Sequence, residues 1–422
     1  MTGAIAQART FSRPTKVLLI NQFTINIGFY MLMPYLAGHL SYTVGLATWA
    51  VGLVLGVRNV AQQGMFLVGG SVADRFGYRP AIIAGLALRV VGFTLLGLVT
   101  SLPALILGAA LTGLAGALFN PAVRAYVAAE AGDRQTEAFA VFNVFYQAGI
   151  LLGPLVGLAL MTVNFGAVCL VAAATFAVLM LVQLGVLPAR TAPAAGPAGV
   201  LAGWRTVVGN RSFVLFSVAM TGSYLLNYQV YLALPIQVRQ VTGSERWAAA
   251  LFVVSGALTV LGQVRVTTWI RRRWTAPGAL IAGVLLMTGA FLPPLLAAGR
   301  PPDITGPLAT AIALGPAVAS CALLALATMI VYPFEMATIV SLARDQLVAT
   351  HYGFYNTVSG IGIAAGNLLV GAAYDLATRN GWPAVPWLML CMTGLASAVA
   401  LYGLWRHGHL GRAPSERDVV AV

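Results

Sequence analysis

Residues Gly69 to Ile83 read GGSVADRFGYRPAII. Asp74, Arg75 and Arg79 crowd into this stretch, although only 8% of the 422-residue chain is Asp, Glu, Lys or Arg. A soluble domain is roughly a quarter charged, so the crowd marks a break between apolar runs rather than an ordinary wet surface. The runs on either side are about twenty residues long, the length a helix needs to cross ~30 Å of hydrocarbon. Similar runs recur along a sequence that is 59% hydrophobic with a mean hydropathy of +0.86. Lipid offers backbone amides no partners, so such runs must be helices.

The pattern predicts an all-α polytopic membrane protein with twelve spans, at 15–38, 47–72, 79–99, 103–128, 137–162, 166–187, 212–238, 247–270, 277–298, 312–341, 351–375 and 384–406. The tenth is the least sharply bounded, because Pro307, Gly315 and Pro316 blur its start. Between the sixth and seventh, PARTAPAAGPAGVLAGWRTVVGNR is rich in Pro, Ala, Gly and Arg and reads as a linker. The chain therefore divides into a first half at 1–187, a linker at 188–211, a second half at 212–406 and a tail at 407–422.

A formal charge of +13 raises the question of nucleic acid, but the basic residues form no groove-binding face with interleaved aromatics. They sit in alternate loops. Arg9, Arg13 and Lys16 precede the first span, Arg75 and Arg79 follow the second, and Arg134 follows the fourth. Arg271, Arg272 and Arg273 follow the eighth span, Arg344 the tenth, and Arg406 closes the twelfth. The excess of Arg and Lys on one side places both termini and these loops in the cytoplasm. No cleavage site follows the first run, so it reads as a retained anchor. Cys169, Cys321 and Cys391 fall inside spans and read as small buried residues, not as a disulfide framework or zinc site. His407 and His409 in the tail read as a solvated pair in preference to a metal site.

The halves resemble each other. Asn26, Tyr30 and Pro34 of the first span recur as Asn227, Tyr231 and Pro235 of the seventh, at a constant offset of 201. Asn143, Gly149 and Gly153 of the fifth recur as Asn356, Gly362 and Gly366 of the eleventh, at an offset of 213. A duplicated six-helix unit with its substrate site at the interface of the halves is a common construction of secondary transporters.

With twelve spans, this repeat and the opening stretch, the chain resembles the major facilitator superfamily. The family's pattern G-x-x-x-D-R-x-G-R-[RK] is matched by Gly70, Asp74, Arg75, Gly77 and Arg79, with Tyr78 in place of one basic residue. A second pattern, G-x-x-x-G-P-x-x-G, reads Gly149, Gly153, Pro154 and Gly157 in the fifth span; it is typical of exporters working by antiport, or else reflects tight helix packing alone. Stretches such as NIGFYMLMP, ALFNPAVRA and YQVYLALPI are similar to bacterial multidrug exporters of the MdtH type, in the drug:proton antiporter group. One departure stands out: Ala109 occupies the place of an arginine expected in the fourth span, so a coupling scheme built on that arginine does not carry over.

Intramembrane ionisable groups are functional candidates by default. Glu335, in VYPFEMAT, is the single acidic residue in the interior of a predicted span, Glu137 and Asp375 standing at span ends; it is expected to couple proton entry to substrate exit, or to pair with a buried arginine. Arg58 and Arg89 also lie within spans; Arg58 shares a face with Gln62 and Met65, which either meets an anionic group or ties the helix to a neighbour. Tyr224, Asn227, Tyr228 and Tyr231 recur at three- and four-residue steps, and Gln22, Asn26 and Tyr30 stand at the equivalent place in the first span. The resemblance implies that these faces line a central cavity, where rings with polar edges suit apolar or cationic compounds. It also implies that Asp74 caps the eleventh helix and latches one conformation, while Arg75 and Arg79 hold local acids, Glu130 and Glu137 among them, or lipid phosphates. In the second half Arg271 stands where Asp74 would be, which makes such a latch one-sided.

No nucleotide-binding or hydrolase motif occurs, so an ATP-driven pump on this chain is excluded and no enzyme is expected. The expectation is a monomeric exporter of small amphiphilic molecules in a bacterial plasma membrane. The proton would be its coupling ion, with no cofactor, no metal and no nucleic acid. Transport of one metabolite, lipid or sugar is the first alternative; a polytopic enzyme or receptor is the second.

Overall fold

The computed structural model describes residues 2–188, 199–242, 247–299 and 306–410. Among them every regular element is helical. Linker residues 189–198 and tail residues 411–422 lie outside the described residues.

Two compact units emerge. The first comprises Met1–Asn210 together with Ile339–Thr357, the second Arg211–Thr338 with Val358–Val422. Unit 1 holds α1 (Thr2–Arg9), α2 (Arg13–Tyr30), α3 (Met33–Gly38), α4 (Thr48–Gly64), α5 (Phe66–Phe76), α6 (Tyr78–Leu98), α7 (Leu102–Ala131), α8 (Gln135–Met161), α9 (Phe165–Val186) and α10 (Val200–Gly209). Unit 2 holds α11 (Arg211–Tyr228), α12 (Ala233–Thr242), α13 (Ala248–Arg271), α14 (Ala276–Gly289), α15 (Leu292–Ala297), most of α16 (Pro307–Ala343) and α17 (Val348–Asn380), and α18 (Val385–Arg406).

Helix starts follow local chemistry. Ser12 caps α2, Asn164 caps α9 and Thr275 caps α14, each side chain accepting an N–H from the first turn that no helical carbonyl can satisfy. In unit 1, α6 packs on α7 and α9, α2 on α8, and α4 on α7; in unit 2, α18 packs on α11 and α14. Leu155, Leu158, Val178 and Leu181 remain exposed, an apolar outer surface that water would disfavour and lipid accepts.

Nine stretches of the described residues are long and apolar enough to cross a membrane, ten if α4 and α5, bent by 47° about Met65, count as one. Leu102–Met161 is a single stretch by this measure but contains α7 and α8, joined by a tight turn at Gly132–Arg134. The expected seventh span, 212–238, is not among the nine. It is interrupted: α11 ends at Tyr228, a 3-10 turn covers Gln229–Tyr231, and α12 starts at Ala233. The first span breaks the same way, α2 ending at Tyr30 and α3 starting at Met33. Proline lacks an N–H and its ring crowds the carbonyl four residues back. Pro34 therefore offers no N–H to the Tyr30 carbonyl, nor Pro235 to the Tyr231 carbonyl, so the Tyr-x-x-x-Pro repeat interrupts the helix in both units.

Candidate functional site

Asp74 lies in the last turn of α5, buried within unit 1. Its Oδ1 accepts the Ala349 N–H at 3.1 Å, and its Oδ2 accepts the Thr350 N–H at 2.7 Å and the Thr350 hydroxyl at 2.6 Å. Ala349 and Thr350 belong to the first turn of α17, where amides lack intrahelical partners and the helix dipole is positive. A carboxylate from 275 residues away thus caps this helix in place of a local side chain.

Close approach makes the contact possible. A β-carbon at Gly70 would stand 2.2 Å from the Ala349 carbonyl oxygen, and one at Gly353 2.3 Å from that of Phe66, so α5 and α17 meet backbone to backbone. Gly69 plays the same part against Ala117 of α7. After α5 the chain turns at Gly77 with φ +96°, a conformation that residues with a β-carbon avoid. Tyr78, standing where the family pattern has a basic residue, is buried beside Asp74.

Several members of this cluster carry no motif. Trp204 of α10 donates its indole N–H to Ser71 Oγ at 2.7 Å, and Ser71 in turn donates to the Leu67 carbonyl. Asn210 Nδ2 donates to the Leu342 carbonyl at 2.8 Å. Arg124 Nη1 donates to Asn356 Oδ1 at 3.0 Å, and Thr357 Oγ1 to the Gln63 carbonyl. The turn from α16 into α17 is itself strained: Arg344, Asp345 and Leu347 have φ of 50°, 57° and 49°. Left-handed backbone costs an L-residue roughly 1–2 kcal/mol, and the bonds on either side hold it there.

Arg75 and Arg79 do not pair with Glu130 and Glu137. Arg79 donates to the Leu184 carbonyl at the end of α9, and the Arg75 guanidinium lies 5.8 Å from the Phe76 ring. Glu130 accepts from Ser12, whereas Glu137 forms an ion pair with Arg134 at 2.7 Å. Arg134 reaches Glu137 from three residues away, whereas Ser12 reaches Glu130 from 118 residues away, a pairing that sequence spacing does not reveal.

The glycine face of α8 is an interface with α2 and the start of α3. β-carbons at Gly149, Gly153 and Gly157 would lie 2.5 Å from the Phe23 oxygen, 2.7 Å from Tyr30 Cβ and 2.1 Å from the Met31 oxygen. The Tyr35 hydroxyl donates to the Pro154 carbonyl at 2.8 Å across the same seam. On α2, Gln22 and Asn26 are buried and Tyr30 half-buried; Asn26 Nδ2 donates to the Tyr146 carbonyl of α8.

In unit 2, Tyr224 is half-buried on α11, and Asn227, Tyr228 and Tyr231 are exposed. Asn227 Oδ1 accepts from Thr328 of α16 at 3.0 Å, and the rings of Tyr228 and Tyr231 stand 5.1 Å apart, with Phe252 5.2 Å beyond. The helix break thus gathers these rings, although it ends the regular spacing that first drew attention to them. Gln229, buried in the break, donates to the Leu225 carbonyl and has Asn367 beside it. Glu335 is buried within α16. Arg58 is half-buried on α4 and bonded to Asn59 and Gln62; Arg89 is buried on α6 among aromatic rings. The three cysteines are buried and free.

Spanning helices, duplicated halves and a carboxylate seated on the first turn of a distant helix define a polytopic membrane transporter. The chain belongs to the Major Facilitator Superfamily, whose pattern matches residues 18–367. It is 49% identical over 403 residues to an uncharacterised MFS-type transporter of Mycobacterium tuberculosis strain H37Rv, covering 94% of this chain and 95% of the relative. It is 30% identical over 385 residues to the multidrug resistance protein MdtH of Aeromonas hydrophila, covering 91% and 93%. Among solved structures it shares its fold with the human organic anion transporter TETRAN, at a TM-score of 0.67 and 16% identity over 92% of this chain and 99% of that one.

Proposed function

We propose that this transporter exports small amphiphilic molecules in exchange for protons, by alternating access in a bacterial plasma membrane with both termini in the cytoplasm. Glu335 is the protonation site, the proton is the coupling ion with no further cofactor, and the monomer suffices. Substrate meets the Tyr224, Asn227, Tyr228 and Tyr231 face and its counterpart at Gln22, Asn26 and Tyr30. The resemblance to MdtH, a multidrug resistance protein, supports the direction and the substrate class.

The observation that carries the reading is the placement of Glu335. It is the one acidic residue in the interior of a predicted span, it is buried, and it precedes by about one helical turn the segment Ile339–Thr357 whose far side Asp74 holds. A buried carboxylate can exchange its proton only with a compartment that reaches it, so its proton occupancy follows which side is open. Asp74, Gly70 and Gly77 form the gate, and its bonds break and re-form once per cycle. In proteoliposomes, Glu335→Gln is expected to abolish export driven by a proton gradient while substrate counterflow without a gradient persists. Gradient-driven export at the wild-type rate in that variant would sink the assignment.

A further inference from the structure

Unit 2 holds a cavity of about 600 Å³, within the size range of sites that take drug-sized ligands. Helices α12, α15, α16, α17 and α18 wall it, with Gln237, Pro294, Ile312, Tyr374 and Trp387 among the lining residues. It sits at the start of α16 and the end of α17, the ends of these helices remote from the turn that joins them. With both termini in the cytoplasm, that is the outer side. The cavity shares no residue with the Tyr224, Asn227, Tyr228 and Tyr231 face or with the cluster around Asp74.

The walls are mostly apolar, and none of the described residues that line them is charged. An ion would give up its water here without gaining a partner, so the cavity disfavours one. Tyr374 and Trp387 meet edge to face with ring centroids 6.0 Å apart, and Phe291 stacks on Trp387 at 6.4 Å, which fixes an aromatic wall in advance of any ligand. The hydroxyls of the lining are already spent: Tyr374 donates to the Ala233 carbonyl at 3.2 Å, and Thr378 to the Tyr374 carbonyl at 2.9 Å. Gln237 is left over. It is only 8% exposed, and its Oε1 is buried with no hydrogen-bond partner. A buried acceptor in that state has lost its bond to water and gained none in return. Pro316, also in the wall, brings no N–H to the Ile312 carbonyl, a second acceptor that lacks its usual helical donor.

We propose that this cavity binds a neutral amphiphile with a hydrogen-bond donor, a phenol or an acylglycerol by chemistry. Its O–H or N–H meets Gln237 Oε1, and its apolar body lies against Tyr374 and Trp387. The walls accept any apolar molecule of suitable size, so the donor is what selects the ligand. The site is additional to the export reading and does not rest on it, since neither Glu335 nor the tyrosine face of unit 2 contributes to it.

The test uses three probes built on one biphenyl body: 4-phenylphenol, which has a donor; 4-methoxybiphenyl, which has none; and biphenyl-4-carboxylate, which is charged. Binding to the purified full chain in nonionic detergent is measured by equilibrium dialysis, with protein-free micelles as the blank. The wild type should bind the phenol about tenfold more tightly than either of the others. Gln237→Leu keeps the bulk and removes the acceptor. It should bring phenol and ether to within about twofold of each other, with the ether held within about threefold of its wild-type affinity. Ala313→Phe, which fills part of the cavity, should weaken both by about tenfold or more, and Gln237→Leu decides the matter even if that variant fails to fold. Equal wild-type affinity for phenol and ether overturns the proposal, as does an unchanged preference in Gln237→Leu or a carboxylate bound as tightly as the phenol. Tyr228→Ala should leave phenol binding unchanged; a large loss there overturns the proposal too, because the probe would then sit on the proposed transport face. Competition by monooleoylglycerol assigns the supply of ligand to the bilayer and its failure assigns it to the aqueous phase, the site standing in both cases. Dialysis needs no gradient, so a failure of proton-driven export leaves this readout intact.

Discussion

Asp74→Asn tests the proposed latch at its centre. The carboxylate accepts three bonds, at 3.1, 2.7 and 2.6 Å, from Ala349 and Thr350. An asparagine can keep its oxygen toward the Ala349 N–H, but its NH₂ then faces the Thr350 N–H, donor against donor. One charge-assisted bond, roughly 1.5–3 kcal/mol, is lost outright. The favourable term between a negative charge and a helix N-terminus, about 0.3–1 kcal/mol, goes with it. Set against this, burying an amide costs less than burying a carboxylate. The net is about 2–3 kcal/mol, a factor of about 30 to 150 in the opening equilibrium. Hydrogen–deuterium exchange of a peptide covering residues 345–353 reads the same amides that Asp74 holds. Exchange there should quicken by that factor, and transport should fall at least tenfold. Melting of the purified protein should hardly move, because the apolar core around Phe119, Phe139 and Tyr126 is untouched. Exchange within threefold of wild type together with normal transport would refute the reasoning and leave Asp74 a helix cap with no part in gating.

Gly70→Ala puts a methyl 2.2 Å from a backbone oxygen that cannot swing aside, so it should reproduce the exchange phenotype of Asp74→Asn at a cost of about 1–3 kcal/mol. Gly64→Ala, where nothing lies within 4 Å, is the control and should be neutral or slightly stabilising by calorimetry. Trp204→Phe removes the 2.7 Å bond to Ser71 and should cost about 1 kcal/mol, seen as a lower denaturant midpoint; an unchanged midpoint would show that α10 is not held by that bond.

The helical membrane fold was legible because hydropathy acts on every residue of a span, and the sum survives local irregularity. The breaks in α2–α3 and α11–α12 were half legible. Pro34 and Pro235 announce a weakened helix, but the side chains that the break regroups, Gln229 inward and Tyr231 toward Phe252, depend on how the freed carbonyls are satisfied. Asp74, Gly70 and Gly77 stand out as a charge and two glycines where the surroundings are apolar. Trp204, Asn210 and Arg124 do not, because a tryptophan, an amide or an arginine in an Ala-rich context has many possible partners, and only the fold selects Ser71, Leu342 and Asn356. The strained turn at Arg344–Leu347 was invisible for a related reason: no glycine marks it, since tertiary bonds on both sides force the backbone there.

Along the chain that turn lies between Glu335, the proposed protonation site, and Ala349 and Thr350, which Asp74 caps. The boundary between the two units crosses α16 between Thr338 and Ile339, so one continuous helix carries Glu335 in unit 2 and ends in unit 1 at Ala343, five residues before α17 begins. A helix transmits displacement along its axis, and Glu335 is about 6 Å from Ile339 along it. If protonation of Glu335 shifts α16 as the proposed function requires, the turn with φ of 50°, 57° and 49° is the segment that lies between that shift and the bonds to Asp74. A double-mutant cycle of Glu335→Gln with Thr350→Ala, read by exchange at residues 345–353, measures this link. Thr350→Ala removes the 2.6 Å hydroxyl bond and leaves both amides on Asp74. Independent sites add to within roughly 0.3–0.5 kcal/mol; transmission through α16 should give an interaction of about 1 kcal/mol. Additivity within about 0.3 kcal/mol would mean that the buried carboxylate and the latch respond independently, and coupling would then have to run through some element other than α16.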